Sequence, residues 1–179
     1  MRPEDILNFW FAECAQSDWW QKSRSFDARL QRRFGSVHEA ATKGELAPWR
    51  TRGKGRLAEV IVLDQFSRNM YRDTPQAFAY DAIALVLAQE AVGLGVHANW
   101  PPDFKSFLYM PFMHSESLWV HEQAVELFSE PGLEDNLKFE FAHKAIIERF
   151  GRYPHRNAIL GRQSTAEEIA FLKQPGSSF

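Results

Sequence analysis

Residues 56–67 constrain the fold most, because their apolar side chains point in nearly every direction when the segment is drawn as an α-helix. A helix that is apolar on all sides is one that is buried inside a protein. We therefore predict a buried helix here. Its apolar residues are Leu57, Val60, Ile61, Val62, Leu63 and Phe66.

Helical periodicity recurs along the rest of the chain, and no segment reads convincingly as a β-strand. Ser164 and Thr165 are each followed by a glutamate three residues later, a capping box that predicts the start of a last helix. The connections between predicted helices are mostly short, which favours antiparallel helix pairs. We predict one all-α domain over residues 1–174, with no sheet, and a frayed tail over residues 175–179.

Composition limits the classes of partner. The 179 residues carry a net charge of −2, whereas a general nucleic-acid binder usually shows a basic excess, so we predict no nucleic-acid partner. We find neither a signal peptide nor a run of about 18 apolar residues, which predicts no membrane span and a cytoplasmic location. The single cysteine, Cys14, suits a reducing compartment, and no neighbour in sequence would lower its pKa.

Two charged residues fall where the helical pattern expects core. Asp64 and Arg68 project between apolar side chains, and their spacing of four residues lets them pair. A buried charge is costly unless it is paired. Either the two form a structural ion pair, or together with Gln65 and Asn69 they line a polar pocket.

Residues 111–116 hold the candidate catalytic groups His114 and Glu116. We expect Pro111 to kink the helix or divide it from the next one. If one helix continued through this segment, His114 and Glu116 would lie about 160° apart at 100° per residue, so they could not share one metal ion. His114 is either a core histidine whose hydrogen bonds are satisfied or a functional group. Glu116 faces apolar residues, where a carboxylate is unexpected, and this makes it a second candidate functional group.

Glu140 and His143 have the Glu-x-x-His spacing that di-iron helical bundles use. Those bundles need a second such pair and two further glutamates. The sequence has no second pair, so we predict neither a metal nor another cofactor.

The densest group of basic residues lies between residues 149 and 162. Arginines around a glycine turn and a proline suit the recognition of an oxyanion, which a guanidinium can hold with two hydrogen bonds. The alternative is that these arginines pair with carboxylates and lock helices together. The candidate ligand-binding residues here are Arg152, His155, Arg156 and Asn157.

Five segments carry motifs that characterise one known family in combination. They are DILNFWF at 5–11, WQKSRSFD at 20–27, LDQFSRN at 63–69, YMPFMHSE at 109–116 and RFGRYPHRNAILGRQST at 149–165. Across essentially the whole chain they resemble the bacterial family catalogued as domain of unknown function 924. Ser67 and Tyr153 depart from that family's usual proline and phenylalanine, and neither departure touches the charged set.

The resemblance implies an all-helical, tetratricopeptide-like right-handed superhelix or bundle, and it implies no activity. The family's marked positions include the polar residues that the helical pattern singles out. In this sequence they are Asp64, Gln65, Arg68, Asn69, His114, Ser115, Glu116, Arg152, Pro154, Arg156 and Asn157.

The sequence leaves open whether the chain is an enzyme, and two hypotheses of function stand beside each other. In the first, Arg152 and Arg156 hold a small carboxylate or phosphate compound and His114 acts as a general acid or base, oriented by Glu116 and Asp64. In the second, a tetratricopeptide-like groove binds a peptide, with the arginines reading acidic groups and the buried charges serving structure alone. The acidic net charge argues against a third, RNA binding. The oligomeric state cannot be predicted.

Overall fold

Every regular element of residues 1–178, the part of the chain that this computed structural model describes, is helical. The predicted all-α class is confirmed. The α-helices are α1 (Pro3–Asn8), α2 (Gln16–Trp20), α3 (Arg24–Thr42), α4 (Gly53–Ile61), α5 (Ser67–Met70), α6 (Asp81–Gly93), α7 (Pro102–Met113), α8 (Leu118–Phe128), α9 (Glu134–Phe150) and α10 (Ala166–Phe171). Short 3-10 segments lie at Ala47–Thr51, Pro75–Ala77 and Pro154–Arg156, and π-helical turns at Phe9–Glu13 and Val62–Phe66.

A continuous helical rod of residues 53–70 lies at the centre of the fold. It consists of α4, the π-helical turn Val62–Phe66 and α5, and it contacts α1, α3, α6 and α7. The six apolar side chains of the predicted buried helix are all 0% exposed. Burial of such side chains stabilises a fold by roughly 1.5–3 kcal/mol each, so the rod organises the packing around it.

Helices α6, α7 and α8 each pack against the next helix along the chain. Aromatic rings fill much of the space between the rod and its neighbours. The fully buried ring of Trp10 lies 5.5 Å from that of Phe66 and 5.4 Å from that of Phe107, as measured between centroids. A smaller apolar cluster around Ile147 and Tyr153 attaches the segment after α9.

The chain does not continue from α7 into α8 as a single helix. Pro111 lies within α7, which ends at Met113, and α8 begins only at Leu118. Residues 114–117 therefore form a turn. The helical-wheel argument that placed His114 and Glu116 on opposite faces of one helix was wrong for this reason.

Local conformation and capping set the end of α9 and the start of α10. Gly151 adopts a left-handed φ of 67° after α9, and the side chains of Thr165 and Glu168 cap α10 reciprocally. The predicted frayed tail includes Phe179, which lies outside the described residues. Within residues 1–178, no helix combines the length and the apolar character needed to span a membrane.

Gly55 permits a close approach at the start of the rod. A Cβ atom added there would lie 2.0 Å from the backbone oxygen of Trp49, which cannot move aside as a side-chain end could. We predict that Gly55→Ala lowers the free energy of unfolding by about 1–3 kcal/mol, measured by urea denaturation.

Gly35→Ala is the matched control. Its added Cβ would meet only the flexible end of Gln31, at 2.8 Å, in the interior of α3. Removing a mid-helix glycine there should be neutral or stabilising by up to about 1 kcal/mol. Equal losses in the two variants would contradict the packing described for Gly55.

Candidate functional site

Arg68 lies between two carboxylates. Its Nη1 is 3.1 Å from Asp64 Oδ1, and its two terminal nitrogens donate to the two oxygens of Asp81 at 2.8 and 2.9 Å. Asp64 lies in the π-helical turn of the rod and is 1% exposed, whereas Asp81 begins α6. The interaction thus joins the central rod to α6.

Asp64 also binds the histidine of the 114–117 turn. The Nδ1 atom of His114 lies 2.8 Å from Asp64 Oδ1, and the amide of Gln65 donates to the other carboxylate oxygen at 2.6 Å. A carboxylate only accepts, so His114 Nδ1 carries the proton of this hydrogen bond. Its Nε2 forms no hydrogen bond with any residue of the described chain, and the side chain is 15% exposed.

The charges of this network shift two pKa values in ways that set the protonation states. Burial alone would raise the pKa of Asp64, but the Arg68 charge and the His114 interaction outweigh it and lower the pKa overall. Burial lowers the pKa of His114, and the Arg68 charge lowers it further, against an opposing contribution from Asp64. At neutral pH the site therefore holds an ionised carboxylate and a neutral imidazole.

Arg156 completes the group from the other end of the chain. Its guanidinium lies over the rings of Tyr153 and Phe78, 4.5 and 4.7 Å from their centroids. It donates to the backbone oxygen of His114 at 2.9 Å, while its contact with Asp81 is long, at 3.4 Å. Its Nε is buried and has no partner among the described residues, and burial together with Arg68 lowers its pKa.

Glu116 belongs to a neighbouring ion pair. It accepts hydrogen bonds from both terminal nitrogens of Arg162, at 2.6 and 2.9 Å, and from the backbone amide of Tyr153 at 2.7 Å. Burial raises its pKa, but these donors lower it overall. The Nε of Arg162 donates in turn to buried Asn157. These contacts fix the segment after α9 against the turn that carries His114.

Arg152 and Asn69 bind residues outside this network, whereas His155 lies at its edge beside Tyr153. Arg152 binds Glu168, whose pKa its hydrogen bonds lower to about 2, and also the backbone of Gln163. Asn69 donates to Asp27 at 3.0 Å. The His155 ring lies 5.5 Å from that of Tyr153, tilted by 43°, and burial followed by the Arg156 charge lowers the pKa of His155 to about 4.

Glu140 and His143 are both buried on α9, but they make different contacts. Glu140 lies 2.6 Å from His121, and His143 bonds the backbone oxygen of Phe139 at 2.7 Å. Among the described residues, no three His, Cys, Asp or Glu side chains cluster in a way that could hold a metal ion.

The sequence reasoning missed Asp81 and Phe78. An acidic residue in the first turn of a helix ordinarily compensates the helix dipole, which conceals the second role of Asp81 as a partner of Arg68. Phe78 reads as an ordinary apolar position. Each gains its role from residues far away in sequence, so no local signal marked it.

The described chain is thus an all-helical protein with a buried ionic network that orients one partly exposed histidine. Comparison with known proteins places it in a family. The family profile described as "Bacterial protein of unknown function (DUF924)" matches residues 6–176, and the chain belongs to this family. It is similar to the solved structure of a protein of unknown function from Agrobacterium tumefaciens, with 36% sequence identity, 96% of each chain covered and a TM-score of 0.91. No curated protein matches the chain.

The buried histidines predict that the protein loses stability in acid. A histidine whose folded pKa lies below its unfolded value of about 6.5 favours folding above pH 6.5, and this contribution falls as the pH decreases towards the folded pKa. For His155, with a folded pKa of about 4, the loss between pH 7.5 and pH 5 is about 2 kcal/mol. Replacing His155 by Gln should reduce the loss of unfolding free energy over this range by that amount, measured by urea denaturation at both pH values. An identical pH dependence in variant and wild type would contradict a neutral, partly buried His155.

Proposed function

We propose that the site around His114 binds a small compound with a carboxylate or phosphate group, and that His114 exchanges a proton with it or with a bound water. One observation carries the proposal. Buried Asp64 holds Nδ1 of His114 at 2.8 Å, while Nε2 is left without a hydrogen-bond partner in the described chain on a side chain that is 15% exposed.

The protonation state of His114 suits a base. Its lowered pKa leaves the imidazole neutral at pH 7, and the proton shared with Asp64 occupies Nδ1. The lone pair of the imidazole is then on Nε2, the ring nitrogen that makes no hydrogen bond within the described residues. A buried carboxylate that fixes the tautomer and orientation of an imidazole is a recurring arrangement for general base catalysis.

Arg156 is the cation that remains for an anionic ligand. Arg68, Arg152 and Arg162 are each bound by one or two carboxylates at 3.1 Å or less. Arg156 has only the 3.4 Å contact with Asp81 and an Nε without a partner among the described residues. Its charge is the least neutralised of the four, and it contacts the backbone of His114 directly.

The described side chains offer no activated nucleophile beside His114, which supports binding or acid–base chemistry over covalent catalysis. Burial raises the pKa of Cys14 to about 11, so its thiolate is scarce at neutral pH. Ser67 lies 2.8 Å from His38, but it donates its proton to the backbone of Leu63, and both side chains are 1% exposed.

Titration with inorganic phosphate tests the proposal directly. We predict that phosphate shifts the side-chain ¹⁵N resonances of His114 and raises Tm, relative to sodium chloride at equal ionic strength. Arg156→Met should weaken the apparent affinity at least tenfold, because it removes the cation least neutralised by the protein. That factor corresponds to about 1.4 kcal/mol.

Arg152→Met is the matched control, since Arg152 binds Glu168 and shares no described contact with His114. It should lower stability and leave the phosphate response intact. The proposal fails if phosphate leaves His114 unchanged in the wild type, or if the two arginine variants lose the response equally.

The second candidate is a protein- or peptide-interaction module whose buried charges serve the structure alone. The observation that favours it is the internal pairing of Arg68, Arg152 and Arg162 with carboxylates, which occupies one of the two arginines of the predicted anion site, Arg152. Among residues 1–178, four aromatic side chains are also more than half exposed: Trp20, Trp119, Phe139 and Phe141. Under this alternative, Arg156→Met would destabilise the fold, and neither phosphate nor short dicarboxylates would perturb His114.

A further inference from the structure

Three consecutive backbone carbonyls where α7 ends and the 114–117 turn begins each accept a hydrogen bond from a distant side chain. The donors are Tyr153 Oη to Met113, Arg156 Nη2 to His114 and His121 Nε2 to Ser115, at 2.5, 2.9 and 2.9 Å. The last carbonyls of a helix lack partners within that helix. Here side chains from α8 and from the segment after α9 supply them, so the backbone that carries His114 is fixed from several directions.

His121 is one of these donors, and its other ring nitrogen contacts a carboxyl group. Nδ1 lies 2.6 Å from Glu140 Oε1, and both side chains are 0% exposed. A backbone carbonyl only accepts, so His121 Nε2 must carry a hydrogen to bind Ser115. The hydroxyl of Tyr153, 3.2 Å from Nε2, already donates to Met113 and cannot serve as a second donor.

The hydrogen that His121 must carry on Nε2 limits the protonation states that the His121–Glu140 pair can adopt. With a hydrogen on Nε2, either Nδ1 is protonated against a carboxylate, or Nδ1 accepts a hydrogen bond from a protonated carboxyl group. In both forms the pair has no net charge. If the imidazole were neutral with its hydrogen on Nε2 and Glu140 were ionised, two hydrogen-bond acceptors, Nδ1 and Oε1, would lie 2.6 Å apart.

The surroundings favour the form with a neutral histidine and a protonated Glu140. Glu140 Oε2 is buried without a partner in the described chain, which is costly for an ionised carboxylate. Burial raises the pKa of Glu140, against smaller contributions from His121 and Lys144. The other titratable groups near the pair are Tyr153 and His143, and burial raises the pKa of the first and lowers that of the second to about 3.

We infer that Glu140 and His121 are positioning residues for His114. As a neutral hydrogen-bonded pair they hold the Ser115 carbonyl, and through the turn they set how the His114 ring meets Asp64. The inference rests on the proposed function in so far as His114 is the reacting base, but its geometry can be tested without any reaction.

The test follows the histidine side chains by long-range ¹H–¹⁵N NMR. Glu140→Gln keeps a neutral donor for Nδ1 of His121, so His121 should remain the Nε2–H tautomer, and His114 should keep its wild-type resonances and phosphate response. His121→Leu combined with Glu140→Leu removes both groups without leaving either one unpaired. In that variant His114 should lose its single Nδ1–H pattern, and its phosphate-induced shift should fall.

A purely structural role for the pair would lower Tm and leave the His114 pattern unchanged in the folded double variant, and that result would overturn the inference. If the double variant does not fold, the wild type decides alone. At pH 7, His121 should carry its proton on Nε2. An imidazolium would contradict a protonated Glu140, and an Nδ1–H tautomer, which cannot donate to Ser115, would refute the positioning role. Should phosphate fail to act on the wild type while the variants still alter the His114 tautomer, the proposed function fails and the positioning role stands.

Discussion

The guanidinium of Arg68, set between the carboxylates of Asp64 and Asp81, is the interaction on which the site depends. It joins the central rod to α6. It also keeps Asp64 ionised at 1% exposure, where an isolated charge would be costly. Removing one partner of a buried ion pair typically costs about 3–5 kcal/mol, so loss of Arg68 would remove the main compensation for the buried charge of Asp64.

The ionised Asp64 has a consequence for the chemistry of His114. It holds the proton on Nδ1 and so leaves the lone pair on Nε2, while burial and Arg68 keep the ring neutral. His121, a few residues further along the chain, shows the opposite pattern, with its Nε2 donating to a backbone carbonyl and its Nδ1 facing Glu140. The two histidines thus differ in tautomer because different hydrogen-bond partners surround them. His121 stabilises the turn, and His114 keeps a lone pair on Nε2, which makes no hydrogen bond within the described residues.

The sequence predicted those features that are local in the chain. All-round apolarity identified the buried rod, and the same helical pattern singled out Asp64 and Arg68, four residues apart on it. It failed at His114, because a helical wheel assumes a continuous helix and the chain turns at residues 114–117. It also could not find Asp81, which lies 13 positions after Arg68 and is brought to it by packing and not by periodicity. For the same reason, the sequence grouped Arg152 with Arg156, although tertiary contacts draw Arg152 to Glu168.

The protonation state of His114 in the wild-type protein is the measurement that tests this account most directly. Side-chain ¹⁵N shifts and couplings at pH 7 distinguish the imidazolium from the two neutral tautomers. The account predicts a neutral ring with its proton on Nδ1, since Asp64 accepts that hydrogen bond and burial disfavours the charge. A protonated ring, or a neutral ring with its proton on Nε2, would contradict the account.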